Sequence, residues 1–416
     1  MSLWRIVFKS LRQHRLSTGL AVFSIALGVA LLISVISLRE QSHHNFTQEG
    51  LGIDAVLGPK GSPLQIVLNA LYHLEEMPGK IKWSYYKKVI EDPIVSDGIP
   101  FISGHSFAGF RVNAIDDRFF TDFEFLPGKH FSFNRNAGGD GRSFQSRNEA
   151  VAGWAVAKML DIKLGDTFNP VCGVNAGDPI HVNDTLTFVG IMAPTGTPHD
   201  RAIYIPLKTF YTLEGHGQDV AQMAVDEDCR EISGAYLKIK RIRGGALHPG
   251  IQDLKYNISQ SSAAQLVIPT EVLPRLFNII GWVDHILLAI AVLVTLLATL
   301  FLFTALISAL RERRRDIALM RSLGAQRRTV FGLIITESIL ITLLGGILGL
   351  CFGHGIVAIG SYFIKIETGL RFSAGYLSVA DIFVIPSMLI MGFLAGLLPA
   401  IQAYRLSVLK NLTPVS

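Results

Sequence analysis

The residues able to do chemistry in this chain are scattered. There are 12 histidines and three cysteines. Nine of the histidines lie between residues 43 and 272, beginning with His43 and His44. Imidazole is a common metal ligand, but ligand sets that can be read from sequence sit at short fixed spacings, C-x-x-C or H-E-x-x-H. No such spacing occurs here, so scattered surface histidines are the expectation and the metal question stays open. Cys172 and Cys229 share the same polar stretch. Outside the cytoplasm they are a possible disulfide; otherwise they are two unrelated thiols. Cys351 lies in an apolar run and reads as inert.

Ser, His and Asp are all present, including His199-Asp200, but no G-x-S-x-G turn supports a hydrolase. Gly58-Pro59-Lys60-Gly61-Ser62 has the composition of a phosphate loop without its spacing. The G-x-x-x-x-G-K-[ST] run that lets successive amides cradle phosphates is absent from these 416 residues. The chain is therefore read as no enzyme, with no cofactor of its own. Glu337 is a lone carboxylate about 12 Å along an apolar helix from Arg328. Intramembrane carboxylates are rare and are either functional or paired. Pairing with Arg327, Arg328 or another donor at that end fits better than a proton relay.

These residues must be held by elements of two kinds. Half of the chain is hydrophobic and only 17% is charged, against about 25% in soluble domains. The apolar residues concentrate in the first 40 and the last 140 positions. Residues 1–15 carry Trp4, Val7, Phe8 and Leu11 at helical spacing, with Arg5, Lys9 and Arg12 off that face. This predicts an amphipathic helix on an anionic membrane surface. Residues 16–38 hold no charge except at the flanks and are long enough to cross a bilayer. A cleaved signal peptide would have a shorter apolar core and an A-x-A-type site.

Residues 39–272 read as a polar α+β domain. Leu186–Ile191 and Ala235–Lys240 look like strands, Glu149–Leu160 like a helix, and Asn136–Ser143 like a mobile loop. Residues 273–310 form a stalk and second span, 329–364 a third span and 381–404 a fourth. Residues 365–380 make a short loop between the last two, and 405–416 a tail. Gly345, Gly349 and Gly353 repeat every four residues, as do Gly392 and Gly396. Small residues at this spacing let helices approach closely. The first ridge suits either an interface that shifts or static packing; the second suits static packing.

Lys and Arg set orientation. Arg5, Lys9, Arg12 and Arg15 precede the first span. Seven arginines lie between Arg311 and Arg328, against Glu312 and Asp316. Only Lys365 and Arg371 separate the third and fourth spans. Both termini and residues 311–328 are then cytoplasmic, and residues 39–272 lie outside. No basic stripe interleaved with aromatics points to nucleic acid.

The 311–328 segment is the most informative. Arg311, Glu312, Arg313, Arg314, Arg315, Asp316 and Arg321 give it a charged face. Ile317, Leu319, Met320 and Leu323 give it an apolar set, and Gly324 gives it a stop. Physics alone allows either a groove-docking helix or a topology anchor. RRRDIALMRSLGAQRRTVFGLIITESILITLLGGILGLCFG (Arg313–Gly353) and PAIQAYRLSVLKNL (Pro399–Leu412) resemble the signature of FtsX/MacB-type ABC permeases. NEAVAGWAVAKMLDIKLGDTF (Asn148–Phe168) and LTFVGIMAPTGTPHDRAIYIPL (Leu186–Leu207) are similar to the MacB-type periplasmic domain. One departure is Arg405, followed by Leu406, Ser407 and Val408 where the family commonly has an acidic residue and a proline.

The resemblance implies an α-helical protein of the bacterial inner membrane. Four transmembrane helices would carry a large α+β periplasmic domain between the first and second. It implies that Arg311–Ala325 is a coupling helix receiving movement from two copies of a separate ABC ATPase, which would hold ATP and Mg. It also implies a second permease copy, a homodimer rather than a heterodimer, contact with lipid, and a periplasmic adaptor or lipoprotein as a further partner. The function expected is mechanotransmission that drives export or extraction of a lipoprotein, peptide or small molecule, as in the Lol lipoprotein-release permeases. The alternatives are an FtsX-like regulator of a cell-wall hydrolase and a zinc-linked transport system.

Overall fold

A computed structural model describes residues 3–13, 15–47, 52–126, 128–173, 177–213, 230–260, 263–312, 314–322, 324–368 and 372–405. The chain divides into two compact units. One comprises residues 1–42, 280–362 and 372–416, the other residues 43–279 and 363–371.

Among the described residues the helices of six or more residues are α1 (Leu3–Gln13), α2 (Arg15–Thr47), α3 (Pro63–Tyr72), α4 (Trp83–Ile90), α5 (Trp154–Met159), α6 (Ile251–Gln260), α7 (Pro269–Glu312), α8 (Arg314–Ser322), α9 (Arg327–Thr368) and α10 (Val379–Arg405). The main sheet is built from β1 (Ala55–Pro59), β2 (Val95–Phe107), β3 (Phe110–Ile115), β4 (Asp140–Gly141), β5 (Glu149–Ala152), β6 (Thr167–Phe168), β7 (Val171–Cys172), β8 (Leu186–Ile191), β9 (Ile203–Pro206), β10 (Gly234–Ile239) and β11 (Ala264–Val267).

Among the described residues the sheet runs β11-β1-β10-β2-β3-β9-β5-β8-β4, with β7 on β2 and β6 on β8. Pairs β3·β9 and β5·β8 are parallel; the others are antiparallel. Side chains alternate across a strand, and here both faces are buried. Ala55 and Leu57 enter one core while Val56 enters the other; Ile203 and Ile205 oppose Tyr204 in the same way. Continuous apolar runs therefore mark central strands in this domain.

This explains one correction. Glu149–Leu160 is not one helix. Glu149–Ala152 is strand β5, held between β8 and β9 with Ala150, Val151 and Ala152 fully enclosed. The helix begins only at Trp154. Gly153 makes the corner: a Cβ there would lie 2.4 Å from the Asp200 carbonyl oxygen. The glycine-rich 136–143 run is a built turn, not a loose loop. Arg135 Nε lies 2.6 Å from Asp140 Oδ1, and Asp140 and Gly141 pair with Ile191 and Gly190.

The other unit contains four helices long and apolar enough to cross a membrane, at Arg15–Ser42, Gly281–Glu312, Arg327–Ile364 and Val379–Arg405. Helix α2 runs on past the charge-free stretch to Thr47, and α7 starts at Pro269. Charge limits the membrane-embedded part of a helix, not its backbone hydrogen bonding. Ala21, Ile25, Val29 and Ile33 line one face of α2 and pack with Ala298, Leu302, Ile341 and Met388. Leu20, Phe23 and Leu27 on the same helix, like Leu293, Leu296 and Leu300 on α7, are exposed to the apolar surroundings a bilayer supplies.

Candidate functional site

At the end of the helical unit bearing the arginines, Val7 of α1, Leu310, Ile317 of α8, Val330, Leu333 and Ile334 of α9, and Ala400 and Ala403 of α10 form one cluster. Helix α8 is short, so packing must hold it. Ile317 and Ala318 are both 4% exposed, and Met320 is half-buried against the cluster. Gly324, at φ +100°, closes the helix. Its N–H donates to Arg321 O at 3.1 Å, and Ala325 N–H donates to Met320 O at 3.0 Å. This is a complete Schellman cap, and its αL position favours glycine.

The apolar set of α8 is thus divided. Ile317 and Met320 are spent on the chain's own core, while Leu319 is 44% exposed. Arg311, Glu312, Arg327 and Arg328 are exposed as well. The Arg327 guanidinium lies 5.7 Å from the Tyr404 ring centre, and Arg328, Phe331, Ile401 and Tyr404 border a groove of about 470 Å³. Arg313 and Leu323 lie outside the described residues, as do the side chains of Arg314, Arg315 and Asp316. In α1, Val7 is buried and Phe8 is 68% exposed, so the apolar face is shared between the chain and its surroundings.

The glycines lie at helix contacts within the same chain. A Cβ on Gly345, Gly349 or Gly353 would come within 2.7, 2.6 or 3.0 Å of Ile25, Val29 or Ile33 of α2, respectively. On α10, Gly392 and Gly396 press on Thr342 and Ser338 of α9 at 2.3 and 2.2 Å by the same measure. Thr342 Oγ1 also donates to Met388 O at 3.0 Å across these helices. Glu337, one residue before Ser338, is buried at 6% exposure.

Among the described ectodomain histidines, His130 is exposed as expected, whereas His73, His105, His181 and His199 depart from the surface expectation and are buried. His73 caps α3 in the left-handed region, at φ 56°. Asn113 Nδ2 donates to its Nδ1 at 3.1 Å. Its Nε2 lies 3.4 Å from both His199 Nδ1 and Tyr204 OH, which are 2.8 Å apart. Phe119, Phe123 and Phe131 surround His199. Burial, with Arg111 as the lesser cause, pushes the His73 imidazole down to about 3. Burial and the neighbouring His73 hold His199 well below the usual range. Both rings are therefore neutral parts of the core.

Asp200 serves the backbone of its own turn, accepting from Thr195 N, Thr195 Oγ1 and Gly196 N at 2.8, 2.7 and 2.9 Å. A second group, His105, Cys172 and His181, brings three metal-competent donors together. Cys229, the other half of the possible disulfide, lies outside the described residues.

Residues 18–232 match the model of the MacB-like periplasmic core domain, and residues 288–408 match that of the FtsX-like permease C-terminal region. The first match alone covers more than half of the 416 residues. The chain belongs to the FtsX/MacB-type ABC permease family. The uncharacterized ABC transporter permease YvrN of Bacillus subtilis is 23% identical over 97% of this chain and 97% of its own length. The pyoverdine export ATP-binding/permease protein PvdT of Pseudomonas fluorescens is 23% identical over 99% of this chain, and the macrolide export ATP-binding/permease protein MacB of Escherichia coli 22% over 97%. The chain spans only 58% and 59% of those two proteins. Among solved structures, the periplasmic region of MacB from Actinobacillus actinomycetemcomitans aligns with 55% of this chain and 95% of that one, at 12% identity and a TM-score of 0.33.

For a permease of this family the sequence singles out the arginine-rich helix and the glycine ridges, because both repeat locally. It does not single out the buried histidines. His105 and Cys172 are 67 positions apart and meet only through strand pairing. The one local signal was the alternation of β2, which places His105 on the same face as Phe107.

Proposed function

We propose that this chain is the permease subunit of an ABC machine whose ATPase is a separate chain, and that α8 is where the ATPase's movement enters. The observation that carries the reading is the division of α8. One face is anchored through Ile317 and Ala318, its C-terminal end is locked by Gly324, and Leu319 is left outward, with Arg311, Arg327 and Arg328 exposed at the same end of the unit. A helix fixed on one side and free on the other transmits a push from a partner without melting. The arginine bias sets this end in the cytoplasm with both termini, and the ectodomain outside. The similarity to YvrN, a permease matched over 97% of its own length, supports an ATPase on another chain. In this reading a dimer of the permease, moved by two ATPase copies holding ATP and Mg, drives an outward step of a substrate on the ectodomain side. The export named for PvdT and MacB supports that direction.

The test is purification of the tagged full chain from its native membrane, with subunits identified and counted by mass spectrometry. An ABC ATPase in about equal amount is expected. Leu319→Glu should leave a monodisperse, normally melting permease that no longer retains the ATPase or loses stimulation of its ATP hydrolysis. A native permease recovered intact with no ATPase, or full retention and stimulation in Leu319→Glu, would refute the reading.

A further inference from the structure

We propose that the ectodomain carries a binding site for a zinc-class divalent cation, with His105, Cys172 and His181 as its protein ligands. One donor atom from each of the three lies within 4.8 Å of the other two. The two imidazole Nε2 atoms face each other at 3.1 Å. Two nitrogens bound to one tetrahedral zinc stand about 3.3 Å apart, given bonds of about 2.0–2.1 Å. The donors therefore sit near ligand spacing already. Two imidazoles and a soft thiolate select zinc-like metals over calcium or magnesium, which prefer oxygen.

The strand register shows that this convergence is built. His105 and Cys172 are direct cross-strand partners in the antiparallel pairing of β2 with β7, so their side chains share a face. The chain then turns back along β7: Cys172 N–H donates to Pro179 O at 2.8 Å, and His181 N–H donates to Pro170 O at 3.0 Å. His181 is thus opposite the residue two before Cys172, which returns its side chain to the same face. A bulge between Ser103 and His105 re-aims β2 at this point.

The surroundings suit a ligand set. His105 and His181 are 2% and 7% exposed. The Phe210 ring meets His105 edge-on at 5.1 Å. The second ring nitrogen of His181, Nδ1, lies 3.8 Å from an Asp184 carboxylate oxygen. That is beyond hydrogen-bond distance, but a small closure on metal binding would make it the carboxylate–histidine pair that orients imidazoles on metals. Asn169 Nδ2 donates to the carbonyls of His181, Val182 and Asp184 at 2.9, 3.1 and 3.1 Å and holds the turn in shape. An imidazole–imidazole hydrogen bond would account for the 3.1 Å contact alone; it gives no reason for the thiol on the same face. Three protein ligands leave the fourth tetrahedral position to water or to another donor, as in zinc sites that exchange a ligand. The site stands whether or not the transport reading holds.

The test uses the purified full chain, stripped with chelator under mild reduction. It is titrated with Zn2+ against a chromophoric chelator and, separately, with Co2+ under an absorption spectrophotometer. The expected result is about one tight equivalent per chain, and a cobalt spectrum with a thiolate-to-metal charge-transfer band and intense four-coordinate d–d bands. Cys172→Ser should abolish the charge-transfer band. H105Q/H181Q should abolish tight binding while its melting matches that of metal-free wild type. Asp184→Asn, which keeps all three ligands, should weaken binding about tenfold or more. The proposal is overturned by a wild-type chain that fails to compete for Zn2+, by a cobalt spectrum without the thiolate band, by unchanged affinity in H105Q/H181Q, or by Cys172 recovered from cells wholly in a disulfide with Cys229.

Discussion

The helical unit and the ectodomain sheet both bring distant residues into contact, by opposite means. In the helical unit Gly345, Gly349 and Gly353 meet Ile25, Val29 and Ile33, and each partner set repeats every four residues. In the sheet, His105 meets Cys172 and His181 because of which strand lies beside which and in what register. The driving forces differ too. A helix pair in lipid gains little from burying apolar surface and depends on close packing. The sheet gains from removing two apolar faces from water, and it carries neutral histidines inside them. Crowding should therefore damage the first region and protonation the second.

The largest effect should come from crowding. Gly349→Leu drives a side chain into Val29 and toward the Ala26 carbonyl, 2.9 Å from the glycine's missing Cβ. Backbone at that distance cannot step aside, so a loss of about 3 kcal/mol is expected. Gly355 lies on the same helix with nothing within 4 Å of a Cβ, and Gly355→Leu should change stability by less than about 0.5 kcal/mol. Denaturant titration of the solubilised protein measures both. Equal losses would erase the distinction between the ridge and the rest of the helix.

Protonation comes next. The folded values of His73 and His199 lie below the unfolded value of about 6.5. Their contribution is then complete above about pH 6.5 and is lost as pH falls toward the His73 value of about 3. Each histidine can steepen the loss by up to about 1.4 kcal/mol per pH unit. Melting between pH 7.5 and 4.5 should show this slope for the ectodomain, and His199→Leu should flatten it. A slope indifferent to that substitution would place its source elsewhere. The smallest effect is expected for Thr342→Val, which deletes one hydroxyl bond between α9 and α10. Interhelical bonds of this kind average about 0.6 kcal/mol, measurable as a small shift in the same titration.

The record of what could be read in advance follows the same division. The four spans were legible because a bilayer forbids charge over a fixed length. The Gly324 stop was legible because a left-handed cap favours glycine. Glu149–Ala152 was misread because a strand buried on both faces loses the alternation that distinguishes strands, and Ala-Val-Ala fits a helix equally well. Which members of the Ile317, Leu319, Met320 and Leu323 set turn inward was not legible, because apolar spacing marks a face without saying whether the chain's own core or a partner covers it.

By itself, then, the sequence determined the family, the four apolar spans, the helix-packing glycines and the arginine-rich helix. The spans, the glycines and the arginine-rich helix depend on composition or on a period within one element, while the family rests on the resemblance of longer motifs. Only the tertiary structure decided that Ile317 turns inward while Leu319 turns out, that four histidines are buried, and that His105, Cys172 and His181 share a face. Those facts depend on strand order, register and the identity of the covering surface, which no stretch of chain carries locally.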